Sequence, residues 1–128
     1  MDLEKLFKQL ILFDLVLYIL IIFSVFFEPV EVTNIYNQLP EGFLYTNFGS
    51  IISVVLLLAY LINLYLLYKF IPIGKLMYVV LILISIPILF VSGIDVATPI
   101  QTILDLVGAM TSGAILVFLF FSPIKDKF

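Results

Sequence analysis

The chain has 128 residues, of which 64% are hydrophobic and 12% charged, and its mean hydropathy is +1.30. An ordinary soluble domain carries roughly 25% charged residues, so this composition excludes one and implies an integral membrane protein. Cysteine, histidine and arginine are absent, which removes disulfides, thiolate and serine-histidine nucleophiles, the usual zinc sites, the common haem ligands and guanidinium clamps for phosphates.

The first apolar stretch, residues 7–27, follows Lys5 and Lys8 and so imitates a signal peptide. It is long for such a segment and ends in Phe26-Phe27-Glu28 instead of small residues, so it is expected to stay as an uncleaved anchor. Three more stretches follow at 50–68, 76–92 and 100–121, each near the roughly 20 residues a helix needs to cross about 30 Å of hydrocarbon. The third is the shortest and would reach full length by snorkelling of Lys75 or by thinning of the bilayer. One four-helix domain then accounts for residues 1–128, and the external connection 28–47, with its apolar and aromatic residues, is expected to lie on the membrane surface or to cap the bundle mouth.

The joints are short. Pro72 and Gly74 in Lys69-Phe70-Ile71-Pro72-Ile73-Gly74-Lys75 stop one helix and start the next, making spans two and three antiparallel neighbours. Thr98-Pro99-Ile100-Gln101 reads as a capping box that starts the fourth helix, and Ser122-Pro123 marks its end. Pro87 is expected to bend the third helix unless neighbours resatisfy the freed carbonyl.

All six lysines fall in three places, at Lys5 and Lys8, at Lys69 and Lys75, and at Lys125 and Lys127. With four spans these share one side, which the positive-inside rule makes the cytoplasm, with both termini inside. The net charge of -3 hides a separation: the inside carries +3, the outside -4 through Glu28, Glu31, Glu41 and Asp95, and Asp14 and Asp105 within spans add -2. No clustered basic and aromatic face supports nucleic-acid binding, and attraction of the lysines to anionic lipid is generic. A plasma membrane of bacterial inner-membrane type is the most economical location.

Polar residues inside the spans carry whatever function can be read. On the fourth span Gln101, Asp105, Gly108 and Ser112 fall within an arc of roughly 60° at about 100° per residue, widened by Ala109 and Gly113 in a small-xxx-small spacing. Such a face suits a contact with a helix of the same bundle or of another subunit, with Asp105 as hydrogen-bonding glue. It would also suit a polar cavity open to the outside, or an Asp105 that snorkels. Asp14 and Asn63 are each six residues from a boundary lysine, about 9 Å deep, so the two can meet. Their bond would fix helix register; alternatively Asp14 is a proton or cation site, held by donors such as Asn63, Tyr18 or Tyr60, or simply lies near a snorkelling lysine. Asp14 and Asp105 are expected at opposite leaflets, which disfavours an aspartyl dyad and with it an enzyme. The expected role is a structural, accessory or interaction subunit without cofactor or metal, self-associating through the fourth span or binding another membrane protein. The alternative is a small oligomeric cation channel or proton-coupled carrier using Asp14 and Asp105.

Overall fold

A computed structural model of the chain describes residues 2–128 except Glu41 and Asp95, and all of their side chains except those of Tyr36 and Tyr45. Expectations for Glu41 and Asp95 therefore lie outside the described residues. Five α-helices are formed: α1 (Leu3–Ser24), α2 (Val30–Tyr36), α3 (Asn47–Tyr68), α4 (Pro72–Val91) and α5 (Pro99–Phe121). Short 3-10 turns at Val25–Phe27, Phe43–Tyr45 and Pro123–Lys127 complete the elements, and no strand occurs among the described residues. α1, α3, α4 and α5 are each long and apolar enough to cross a membrane.

Helix starts lie earlier than hydropathy alone places them, because caps decide them. The Asp2 carboxylate accepts from the Glu4 amide at 3.0 Å and starts α1 before Lys5. Thr46 accepts from the Gly49 amide at 3.1 Å and starts α3. α4 begins at Pro72, where the missing amide proton costs nothing, so this helix has 20 residues and includes Lys75 in its second turn. At 20 residues α4 is still the shortest of the four long helices. At α5 the capping box forms as expected: Gln101 N donates to Thr98 Oγ1 at 3.3 Å and Thr98 N to Gln101 Oε1 at 2.7 Å. α4 remains helical through Pro87.

The turn between α3 and α4 depends on a residue other than the expected glycine. Phe70 adopts φ 55°, and Ile71 N donates to Leu66 O at 2.9 Å while Phe70 N donates to Leu67 O at 3.0 Å, the paired bonds of a Schellman cap. A left-handed non-glycine residue costs roughly 1–2 kcal/mol. The ring repays this by packing at 5.7 Å from Phe7 and 5.4 Å from Phe128. Gly74 serves close approach instead, since a Cβ there would lie 2.9 Å from Leu66 Cβ and 3.2 Å from the Leu66 carbonyl carbon.

α1 packs chiefly on α5 and also on α3, and α3 packs on α4. Burial is one-sided along these helices. The core residues Phe7, Ile11, Leu64, Leu67, Tyr78, Ile115, Leu119 and Ile124 all belong to the lysine-bearing half. At that end Phe7 also meets Phe118 at 5.9 Å and Phe128 at 6.0 Å, and Lys8 lies over the rings of Phe70 and Tyr68 at 5.2 and 5.6 Å. Glu4 binds Lys8 at 3.2 Å and Lys127 at 3.5 Å, tying the last turn to α1. In the other half, Phe26, Phe27, Phe90 and Val54 are exposed, as they would be to lipid.

The connection between α1 and α3 is not a free linker. Gly42 sits on the turn that follows α4, where a Cβ would be 1.7 Å from Ser92 O, and Gly93 opposite it takes φ 95°. Phe43–Tyr45 packs on the start of α3.

Candidate functional site: a polar junction of four helices

One polar side chain from each long helix converges in the lysine-bearing half: Asp14 of α1, Tyr60 of α3, Tyr78 of α4 and Ser112 of α5. Helical periodicity puts them there. Asp14 follows Phe7 and Ile11 on the buried face of α1, and Tyr60 precedes Asn63, Leu64 and Leu67 on that of α3. Asp14 is buried, and Tyr60 Oη donates to its Oδ2 at 2.5 Å. The Tyr60 ring is flanked by Tyr18 at 5.0 Å and Tyr78 at 6.3 Å between centroids. The Ser112 hydroxyl lies beside both phenol oxygens. Its hydroxyl makes no bond to its own helix, whereas Thr111 beside it donates to Val107 O at 2.8 Å.

Three buried polar atoms in this region have no hydrogen-bond partner: Asn63 Nδ2, Asn63 Oδ1 and Tyr78 Oη. The expected Asp14 to Asn63 bond is thus not made, and Tyr60 takes its place. Packed helix axes stand about 8–10 Å apart, a gap that a phenol bridges and a short amide does not. Asn63, fully buried one turn from Tyr60, is left with a desolvated amide. Replacing it by leucine, similar in volume, removes that penalty, and the expected result is a rise in unfolding free energy of about 2 kcal/mol, read from denaturation in detergent micelles.

A second polar place lies at the opposite end, between α1 and α5. A recess of about 160 Å³ there has Ser24, Glu28, Gln101 and Asp105 as its polar lining. Gln101 is fully employed: its Oε1 closes the capping box and its Nε2 donates to Glu28 Oε1 at 2.7 Å. Asp105 is on the exposed side of α5. The stripe expected on α5 is therefore divided between two places: Gln101 and Asp105 belong to this recess, whereas Ser112, about 10 Å further along the helix, belongs to the junction with Asp14.

The small residues divide as well. A Cβ at Gly108 would meet only Ile21 Cδ1 at 4.0 Å, and one at Gly113 would meet nothing within 4 Å. Ala109 and Gly113 are exposed. The buried residues of α5 are Thr111, Ile115 and Leu119.

Among the described residues no group of three histidine, cysteine, aspartate or glutamate side chains could hold a metal ion. Sequence reasoning found Asp14, Asn63 and Ser112 but did not join Ser112 to Asp14, and it gave Tyr78 no part in that pairing. The signal for Tyr78 is its spacing of one turn from Gly74, which faces α3. Comparison with protein families, with curated proteins and with solved structures gave no match.

Proposed function

We propose that this chain is a multi-pass membrane protein, an antiparallel bundle of four spans with both termini in the cytoplasm of a bacterial inner-membrane type of cell envelope, and that it acts as a structural or accessory subunit. Antiparallel packing is supported by contacts at both ends of α1, where Phe7 meets Phe118 and Glu28 meets Gln101. The orientation is supported by the gathering of lysines at one end, with Lys8 over Phe70, Lys75 over Phe120 at 4.7 Å and Lys127 on Glu4.

The observation that carries the subunit reading is the open strip of α5 at Ala109 and Gly113, where a helix of a second copy can approach backbone to backbone. Replacing Gly113 by leucine is expected to shift the detergent-solubilised mass from oligomer to monomer while the midpoint of thermal unfolding stays put, since nothing within the chain touches the new side chain. An unchanged mass would assign the strip to lipid.

A second reading, a small carrier or channel for cations, is favoured by the burial of Asp14 at a junction of four helices and by the acidic recess of Glu28 and Asp105 at the opposite end.

A further inference from the structure

Charge and hydrogen bonding at the four-helix junction are both incomplete. Asp14 is almost fully buried in a span, where an isolated carboxylate is costly, yet no lysine reaches it. The nearest along its own helix, Lys8, is about 9 Å away and engaged with Glu4. Tyr78 is fully buried with its ring 6.3 Å from that of Tyr60, and its hydroxyl has no hydrogen-bond partner. Ser112 leaves its hydroxyl free of its own backbone. A bound water would satisfy Tyr78 and Ser112 but would leave the carboxylate uncompensated. A small cation answers both needs.

We propose that Asp14, Tyr60, Tyr78 and Ser112 form a binding site for one monovalent alkali cation of sodium size. The donors are all hard oxygens, with no sulfur or imidazole to attract a transition metal. A single carboxylate matches a single positive charge, whereas calcium and magnesium sites commonly gather several carboxylates or keep much of their water. Tyr60 keeps its hydrogen bond to Asp14 and offers a lone pair of the same oxygen, so its phenol serves the carboxylate and the cation together. Asn63, one turn away, is not a ligand in this scheme.

The site deepens the carrier reading but does not require transport. Its test is the thermal unfolding midpoint of the purified protein in detergent, with sodium, potassium or lithium chloride exchanged for choline chloride at constant ionic strength and pH. Wild type is expected to show a saturable rise with sodium, absent with choline, because a ligand that binds only the folded state stabilises it. Asp14→Asn should abolish the rise. Tyr78→Phe, which keeps the ring and removes only the buried unpartnered hydroxyl, should raise the choline midpoint and raise the sodium concentration at half-effect at least tenfold; it carries the test if Asp14→Asn does not fold. Asn63→Leu should retain the wild-type half-effect. Equal midpoints in sodium and choline, a sodium response surviving in Asp14→Asn, or an unaltered half-effect in Tyr78→Phe would each overturn the site, as would a midpoint governed by pH alone, which would make a proton the occupant. Sodium uptake into proteoliposomes separates the two claims: binding without uptake leaves the site and removes the carrier.

Discussion

Replacing Phe7 by alanine is expected to lower the unfolding free energy by about 3–5 kcal/mol, the range for truncating a buried aromatic ring. Phe7 is fully buried and its ring is shared by three others, Phe70 of the α3–α4 turn, Phe118 of α5 and Phe128 beyond it. Removing it leaves a cavity that none of these can fill alone, because each is held by a different segment. The ring of Phe70 would also lose part of what offsets its left-handed backbone. Chemical denaturation in micelles checks the magnitude. A loss below about 1 kcal/mol would mean that the aromatic cluster collapses around the gap and is less tightly specified than the ring distances imply.

The second large effect is expected from Gly42→Ala. One methyl group would stand 1.7 Å from Ser92 O and 3.0 Å from Gly93 Cα, and because these are backbone atoms no rotamer change relieves the overlap. The external segment must lift from the end of α4, at a cost of about 3 kcal/mol, the upper part of the range for overpacking. Limited proteolysis of the external segment gives a direct reading: Gly42→Ala should be cut between α2 and α3 well before wild type. Equal protection in the two proteins would show that the contact with Ser92 does not hold the segment.

Much of the fold was legible because hydrocarbon imposes few options. Four apolar runs of sufficient length had to be helices, and Thr98 with Gln101 announced the start of α5 through a chemical pattern as well as through hydropathy. The helices α1, α3 and α4 begin three or four residues before the apolar stretches at 7, 50 and 76, for one physical reason. Lys5, Asn47 and Pro72 lower the local hydropathy, yet helix formation there depends on capping of free amides or on needing none. Gly42 illustrates another limit. Its requirement for space comes from Ser92, 50 positions away, and no local pattern encodes a backbone contact of that range.

The polar junction was half legible. Depth alone placed Asp14 and Asn63 at one level, but depth does not say which of two donors on a helix face reaches across. Tyr60 wins over Asn63 by length. Ser112 was grouped with Asp105 because both lie on one arc of α5, and an arc has no height: seven residues of rise carry the helix from the recess at Glu28 to the junction at Asp14. Angular position, in a bundle, identifies the facing helix but not the facing residue.

The confinement of the buried core to the lysine-bearing half has a mechanical meaning. The rings around Phe7 join α1, the α3–α4 turn, α5 and the last turn of the chain at one level, so stiffness is greatest there. Lateral pressure in the opposite leaflet meets lighter ties, the Gln101 amide on Glu28 and Gly42 against the turn after α4, and that end yields first.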